Sequence, residues 1–121
     1  MIASQNTIER FTWGDVCGGW RLLDQKDLSV IEESVPAGAG ETWHLHDRAR
    51  QFFYVLDGTA SFEVAGEPPF AMGAGEGIAV DAGRPHRISN PDGPAEVRFL
   101  VISAPATRGD RRDWSPAGDV D

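Results

Sequence analysis

The sequence lacks the features that would connect it to a disulfide framework or to a membrane. Cys17 is the only cysteine among 121 residues, which excludes an internal disulfide and a cysteine-based zinc cluster. No run of about 18 apolar residues occurs, so the sequence offers no helical membrane span. The first ten residues lack a basic start followed by a long apolar run, and we therefore expect no signal peptide.

The sequence also has little basic charge. It contains 11 Lys and Arg against 19 Asp and Glu, which gives a formal net charge of −8. A nucleic-acid surface would be basic, and an anionic membrane attracts basic segments rather than acidic ones. We therefore expect no nucleic-acid partner and no membrane partner. The free thiol of Cys17 suits a reducing compartment, so we expect a cytoplasmic protein.

Helical patterns are scarce, whereas short strand patterns are frequent. Runs of apolar, aromatic and β-branched residues alternate with turns of Gly, Pro, Asn and Asp, and we count about ten such strands. The run at 51–56, for example, is followed by Asp57-Gly58, which is a typical hairpin turn. No convincing amphipathic helix and no internal repeat occur. The pattern predicts a single all-β domain, either a sandwich or a barrel.

We expect the folded domain to span residues 1–104 and residues 105–121 to form a C-terminal tail. This tail holds two prolines and several charges, and the composition of residues 115–121 predicts disorder. Two alternatives stay open for Trp114, namely an anchor that holds the tail to the domain and an aromatic side chain in solvent. The Arg-Gly-Asp at 108–110 resembles an adhesion tripeptide, and we assign it no such role in a cytoplasmic chain.

A pair of histidines in the middle of the chain is the first candidate for chemistry. His44 and His46 are separated by one residue, so on a strand both rings point to the same side. Gln51 follows after four residues, and Gly38 and Gly58 stand at the two ends of the stretch. Two neutral imidazoles on one face can begin a metal site, but they need a third histidine from a distant segment.

His86 supplies that third imidazole. It follows a turn at Gly83, with Gly75 and Asp81 before it and Asn90 four residues after it. Three imidazoles with open coordination positions form a good metal site without further ligands. The sequence therefore predicts that one metal ion is bound by histidines from two distant stretches.

The spacing in these two stretches, residues 38–58 and 75–90, resembles the two motifs of the cupin family. In that family the first motif reads glycine-x5-His-x-His-x4-Glu-x6-glycine, so Gln51 stands in the position of the Glu, and Asp81 stands where the second motif usually has a proline. The resemblance implies a single-domain cupin, a jelly-roll β-barrel (double-stranded β-helix) with one open mouth. It also implies that one divalent metal is bound inside the barrel by four side chains, those of His44, His46, Gln51 and His86.

Gln51 is a departure from the family pattern. A neutral amide oxygen is a weaker ligand than a carboxylate, and it leaves the site with one negative charge fewer. Some cupins carry glutamine at this place, so we still expect a metal site. The identity of the ion stays open, because imidazole and amide ligands accept iron, manganese, nickel, zinc, cobalt or copper.

Side-chain alternation predicts which residues share the space around the metal. Phe53, Ile88 and Phe99 lie at inward positions of their strands, and we expect them to line an apolar substrate pocket. Arg84, near the mouth, is a candidate to hold an anionic group. Four carboxylates are candidate acids or bases, although we expect each at the surface: Glu41, Asp47, Glu63 and Asp81.

An open metal beside an apolar pocket predicts an enzyme that acts on a small organic substrate. With iron or copper and oxygen the reaction would be a dioxygenation, and with zinc, nickel or manganese it would be an isomerase or lyase reaction. The alternative is a non-catalytic cupin that binds or senses a small molecule. Open strand edges favour pairing between copies, and small cupins are commonly homodimers, so we expect a homodimer with residues 11–20 near its interface.

Overall fold

The computed structural model describes residues 2–91 and 94–116, and all of its regular structure is β. No helix in this part of the chain is long and apolar enough to cross a membrane. Eleven strands follow one another in the described residues: β1 (Arg10–Trp13), β2 (Cys17–Asp24), β3 (Ser29–Val35), β4 (His44–His46), β5 (Arg50–Asp57), β6 (Thr59–Val64), β7 (Phe70–Gly73), β8 (Gly77–Val80), β9 (His86–Ser89), β10 (Val97–Ala104) and β11 (Arg111–Asp113).

The strands form two antiparallel sheets. The six-stranded sheet has the order β1-β2-β3-β10-β5-β8, and the five-stranded sheet has the order β11-β4-β9-β6-β7. Several neighbours, such as β3 and β10, are far apart in the sequence, as in a jelly roll built from two sheets. The predicted all-β jelly-roll fold is confirmed.

Alternation along the strands builds the core between the sheets. In β10, Val97, Phe99 and Val101 point inward with 1%, 0% and 5% exposure, while Arg98 and Leu100 point outward. Burying one such apolar side chain stabilises the folded state by roughly 1.5–3 kcal/mol. The core therefore follows from the period-two pattern, as the sequence predicts for this strand.

The turn between β5 and β6 requires glycine at position 58. Gly58 has a φ of +85°, in the left-handed region that other residues disfavour. A Cβ atom at this position would also lie 2.9 Å from the carbonyl oxygen of Glu96 and 3.2 Å from the Cα of Val97. A turn is present at Asp57-Gly58, but the hairpin predicted there is wrong, because β5 and β6 belong to different sheets and do not pair with each other. Both conformation and space exclude a residue larger than glycine at position 58.

The chain after residue 104, expected as a tail, returns to the second sheet. Strand β11 pairs with β4, the strand that carries two of the histidines. Trp114 then packs against Trp43 with ring centroids 5.1 Å apart, and its backbone N–H donates to the Trp43 carbonyl at 3.2 Å. The expected boundary at residue 104 therefore does not mark the end of the sheet. The disorder predicted for 115–121 falls mostly outside the described residues, which end at Pro116.

Candidate metal centre and its cavity

The three histidines meet where β4 and β9 pair. His44 and His46 lie on the same side of β4, and His44 stands directly opposite His86 in the antiparallel pairing. Their rings are buried, with 3%, 7% and 1% exposure in chain order, and one ligand nitrogen of each lies within 4.8 Å of the others. Within the described part of the chain, this is the group of His, Cys, Asp or Glu residues that could hold a metal ion.

Backbone carbonyls fix the protonation of two of these rings. Nδ1–H of His44 donates to the Thr42 carbonyl at 3.0 Å, and Nδ1–H of His86 donates to the Arg84 carbonyl at 2.8 Å. The other nitrogen of each ring, Nε2, then carries a lone pair, which is the form that binds a metal. Nδ1 of His46 is buried without any hydrogen-bond partner. The backbone of Asp110 nevertheless acts on the His46 ring and opposes the lowering of its pKa by burial, as a carbonyl that accepts from Nδ1–H would. Each neutral ring has one nitrogen lone pair with which it can bind a metal.

Gln51 adds an oxygen to this group. Its Nε2–H donates to the Ser103 hydroxyl at 3.1 Å, which turns its Oε1 toward His86 Nε2 at 3.0 Å. Because Nδ1 of His86 carries the proton, Nε2 and Oε1 face each other as two acceptors. A cation beside both atoms would make this contact favourable, as would a rotation of the amide by about 180° that lets its NH2 donate to Nε2 and the Ser103 hydroxyl donate to Oε1. The donor set therefore fits a metal ion.

Burial keeps the three imidazoles neutral. Loss of hydration lowers the pKa of His44 to about 3 and that of His86 to about 4, and it also lowers the pKa of His46. The nearby positive charge of Arg111 contributes to all three shifts. Protons therefore do not compete with a metal at neutral pH, since imidazole must be neutral to bind one.

A cavity of about 310 Å³ opens beside the histidines, between the two sheets. Its lining includes His44, His46, Gln51 and Phe53, whose ring centroid lies 5.6 Å from that of His86. The remaining wall is rich in ionisable side chains, which belong to Arg21, Asp24, Glu33, Glu41, Arg108 and Arg111. Arg108 and Asp24 pair with each other at the edge of the cavity.

Two carboxylates in this cavity retain their protons more strongly than usual. Burial raises the pKa of Glu33 to about 8, against the opposing charges of Arg21 and Arg111. Burial, followed by the charge of Glu33, raises the pKa of Glu41 well above its ordinary value. Glu41 Oε1 accepts the backbone N–H of Ile88 at 3.1 Å, and its Oε2 lies 4.0 Å from His44 Nε2. The cavity thus combines neutral imidazoles with carboxyl groups that can exchange protons.

The residues expected to line the pocket occupy different depths in the barrel. Phe53 lines the cavity, whereas Ile88 and Phe99 are 0% exposed and belong to the apolar core. Arg84 lies outside the cavity lining, and it donates to the Ala65 carbonyl and to Glu67, each at 3.2 Å. The cavity wall is therefore more polar than the sequence analysis expects.

Of the four candidate carboxylates, three lie outside the cavity lining and one lies within it. Asp47 pairs with Arg112 outside the cavity lining, Glu63 pairs with Arg87, and Asp81 is exposed. The expectation that Glu41 lies at the surface is wrong, because the strand that follows it brings Glu41 into the cavity beside His44.

Sequence reasoning missed Glu33 and Arg111. Glu33 lies two residues from both Ile31 and Val35 in β3, so its side chain shares their face of the strand. An ionisable residue on this inward face was the signal from which its place in the cavity could have been predicted. Arg111 lies in the segment interpreted as a tail, and it reaches the cavity because β11 places it opposite His46. A short polar strand such as Arg111–Asp113 has no apolar alternation from which it could be predicted.

A second, larger cavity has none of this chemistry. It measures about 520 Å³ and is lined by small, apolar and amide side chains, including Phe70, Asn90 and Pro91. None of its described lining residues is ionisable. The 310 Å³ cavity, although smaller, is therefore the candidate functional site.

Several solved structures have the same fold as this chain at low sequence identity. KdgF from Halomonas sp. is 16% identical over 90% of this chain and 98% of its own, with a TM-score of 0.80. The polyketide cyclase RemF from Streptomyces resistomycificus is 20% identical over 98% and 88%, with a TM-score of 0.82. The DMSP lyase DddQ from Ruegeria pomeroyi DSS-3 is 20% identical over 94% and 64%, with a TM-score of 0.77. These likenesses show the fold.

Family membership rests on a separate comparison. No curated protein matches the sequence. The family model described as the cupin domain matches residues 31–103, which is more than half of the chain. That range contains both histidine stretches, and the chain belongs to the cupin family.

Proposed function

We propose that the protein is a metal-dependent enzyme of the lyase or isomerase type that acts on a small organic molecule. The observation that carries this proposal is a cluster of three neutral imidazoles, two of which line the cavity together with two carboxyl groups of raised pKa. A reaction that removes a proton from one atom and returns it to another needs a proton carrier, and a Lewis acid can stabilise the charge that develops on the neighbouring oxygen. A DMSP lyase and a polyketide cyclase share this fold, which is compatible with such chemistry.

The proposed ligands are His44, His46 and His86, with Gln51 as the fourth. The 3.0 Å contact between the Gln51 amide and His86 Nε2 supports the fourth ligand, since it places both groups close enough to bind one ion. This ligand set is neutral, so the full charge of a divalent ion stays available to a substrate oxygen. Iron, manganese, nickel, zinc, cobalt and copper all accept such ligands, and the proposal covers one divalent ion of this group.

A divalent ion held there would polarise a carbonyl or carboxylate oxygen of the substrate. In this proposal the chain's own residues bind and exchange protons around that oxygen. Glu33, with a pKa of about 8, carries a proton at neutral pH, and burial also raises the pKa of Glu41. Ser103 orients the Gln51 amide. Phe53 closes the inner end of the cavity with an apolar ring, which limits water at the reacting atoms.

Metal analysis of the purified protein tests the ligand assignment. We expect about one divalent ion per chain, and we expect His86→Ala to lose it, because two remaining imidazoles hold the ion much less tightly. Arg87→Gln is the matched control, since Arg87 is the next residue in β9 and pairs with Glu63 instead. Full metal occupancy in His86→Ala would contradict the assignment.

Turnover with and without oxygen tests the reaction class. For a lyase or isomerase we expect the same rate under anaerobic conditions, measured on a panel of small carbonyl and carboxylate compounds. A rate that requires oxygen, with matching oxygen uptake, would assign the protein to the dioxygenases. Metal binding and compound binding without turnover would instead support the binding or sensing cupin.

We also propose that two copies of the chain associate through the six-stranded sheet. Phe52 and Tyr54 are 40% and 36% exposed on its outer face, where their rings stack 6.4 Å apart. Strand β1, from the segment expected near the interface, is an open edge of the same sheet. Light scattering of the purified protein should give the mass of a dimer, and a monomer would refute this assembly.

A further inference from the structure

The cavity has a different charge balance from the rest of the protein. The chain as a whole carries a formal charge of −8, but the guanidinium groups of Arg21 and Arg111 line the cavity beside the histidines. Even if Glu33 and Glu41 were both ionised, the two arginines would balance them and the charge of the metal would remain. The cavity therefore attracts an anion in a protein that otherwise repels anions.

The pairing of β11 with β4 directs Arg111 toward the metal centre. Arg111 stands opposite His46 and Arg112 stands opposite Leu45, so the two arginine side chains point to opposite faces of the sheet. Arg112 pairs with Asp47 on the outer side. Arg111 lines the cavity and donates from Nη2 to the Thr42 hydroxyl at 2.9 Å. Its Nε also lies 3.8 Å from Oδ1 of Asp113, in a pair that water screens because the Asp113 side chain is 90% exposed. The Arg111 side chain is itself 43% exposed, which leaves N–H groups available to a ligand.

Arg21 supplies a second guanidinium group from the six-stranded sheet. It stands opposite Ile31 in the pairing of β2 with β3, and it lines the cavity together with Glu33. The Cζ atom of Arg21 lies 4.0 Å from the ring centroid of Phe11, and this cation–π contact holds the guanidinium in place. Two arginines on different sheets therefore face one cavity, with a metal centre at its inner end.

We propose that the cavity binds a small organic carboxylate, with its carboxylate group held by Arg111 and Arg21 and a second oxygen directed to the ion between the histidines. The planar fork of a guanidinium matches a carboxylate through two parallel hydrogen bonds. The cavity volume of about 310 Å³ limits the ligand to a small molecule. This inference rests on the proposed metal-dependent function and names the substrate class for it.

Glu33 is the internal group that would compete for these arginines. The charged or titratable groups that act on it are Arg21 on β2, Arg111 on β11 and the carboxyl group of Glu41. Because burial raises the pKa of Glu33 to about 8, its carboxyl group is mostly neutral at pH 7. Neither guanidinium group is then neutralised by Glu33, and the exposed pair of Arg111 with Asp113 is weak enough for an external carboxylate to replace it.

Calorimetric titration of zinc-loaded protein with malonate tests the inference. Malonate carries two carboxylates that can reach the arginines and the ion at the same time, and malonamide is its neutral counterpart. We expect malonate to bind at least about 10-fold more tightly than malonamide, and Arg111→Gln to weaken malonate binding by about 10-fold or more. The malonate affinity of Arg111→Lys should lie between those of the wild type and Arg111→Gln, because lysine keeps the positive charge but lacks the planar fork of the guanidinium group.

Arg112→Gln is the matched control, because Arg112 is the next residue in the same strand and points away from the cavity. We expect its malonate affinity to stay within about twofold of the wild-type value. Arg21→Gln tests the second guanidinium and should also weaken malonate binding, which keeps the inference testable if Arg111→Gln fails to fold. Tighter binding of inorganic phosphate than of malonate would overturn the assignment to carboxylates.

The zinc content of each variant separates the two proposals. If the wild type takes up no zinc, the proposed function fails, and the inference fails with it. If the wild type holds zinc but malonate binds equally well to Arg111→Gln, Arg21→Gln and Arg112→Gln, the metal site stands and only the carboxylate inference is wrong. Unchanged zinc with selective loss of malonate binding in the cavity variants supports both.

Discussion

The interior of this barrel has two regions that differ in what their side chains contribute. In its floor, Phe62, Phe99, Ile88 and Val55 are all 0% exposed and pack against one another in a single apolar cluster. In its mouth, the interior positions carry imidazoles, carboxyl groups and guanidinium groups around a cavity. Phe53 lies between the two, because its ring packs on Phe62 and Phe99 below and also lines the cavity above.

This difference separates stability from chemistry within one fold. Apolar burial in the floor contributes favourable free energy, whereas the mouth removes ionisable groups from water and shifts the pKa of His44 to about 3 and of Glu33 to about 8. We therefore expect floor substitutions to lower stability strongly. Mouth substitutions should change metal or ligand binding and leave stability unchanged or improved.

The largest expected effect is a truncation in the floor. Phe99→Ala should lower the free energy of unfolding by about 3–5 kcal/mol, because it opens a cavity among side chains that have no access to solvent. Phe52→Ala is the control, since that aromatic ring is 40% exposed on the outer face, and we expect it to cost about 1 kcal/mol or less. Urea denaturation measures both, and similar losses for the two variants would contradict the distinction between floor and surface.

The sequence could predict which residues face inward but not how deep each one lies. The spacing of glycines and histidines predicted the fold family, and alternation predicted that Phe53 and Phe99 both face the interior. Their depth depends on the register between β5 and β10, in which Ser103 stands opposite Gln51 in the mouth while Phe99 stands opposite Val55 in the floor. Register comes from tertiary pairing of distant strands, so the pocket walls predicted from alternation alone lie at different depths.

The polar wall of the cavity was unpredictable for a related reason. Arg111 reaches His46 across a pairing of segments that are distant in the sequence, and Arg111–Asp113 carries no apolar pattern to predict a strand. The three histidines were predictable, because metal ligation requires particular residue types at fixed spacings. The surrounding charges have no such spacing rule.

The next effect concerns a buried carboxylate that lies outside the cavity lining and stabilises the fold. The Asp110 carboxylate is 4% exposed and accepts the backbone N–H groups of Asp47, Arg48 and Ala49 at 3.1, 3.1 and 2.9 Å. These residues form the loop between the two ligand-bearing strands β4 and β5. Asp110→Asn should lower the free energy of unfolding by about 2 kcal/mol at pH 7, because an amide cannot accept at both positions.

This loss should depend on pH in a definite direction. Burial raises the pKa of Asp110, but the N–H groups of Ala49 and Arg48 outweigh it and hold the pKa below the ordinary value of 3.8. The stabilisation is therefore fully present above that value and is lost as pH falls through the folded-state pKa. Denaturation curves of wild type and Asp110→Asn should converge toward acid pH. The Asp113 side chain is 90% exposed, so Asp113→Asn should have the same stability as the wild type at every pH. A stability difference between Asp110→Asn and wild type that does not change with pH would refute the role of the Asp110 carboxylate.

A smaller effect should follow from restoring a carboxylate at the fourth ligand position. Gln51→Glu adds a negative charge beside His86, so we expect manganese to bind about 10-fold more tightly, and zinc to gain less because it is the softer ion. Competition with a metal indicator measures both affinities. Gln51→Ala is the companion variant and should weaken both metals, whereas an unchanged affinity in Gln51→Ala would show that Gln51 does not coordinate.

The smallest expected effect is a gain in stability, whereas truncation in the floor lowers the free energy of unfolding. The unfolded chain releases the Glu33 proton near its ordinary pKa of 4.5, whereas the folded protein keeps it up to about pH 8. Between these values the folded state binds more protons than the unfolded state, so wild-type stability falls as pH rises and levels off above about pH 8. Glu33→Gln stays neutral at every pH and lacks this loss.

Glu33→Gln should therefore match wild type below about pH 4.5 and exceed its stability by about 1 kcal/mol at pH 8. The value is smaller than the full pKa shift would give, because water enters the cavity and screens the ionised carboxylate. Thermal denaturation in the presence of a chelator measures this difference without a contribution from bound metal. If Glu33→Gln were instead less stable than wild type at pH 8, Glu33 would stabilise the barrel as an ionised partner of Arg21 and Arg111, and the mouth would share the role of the floor.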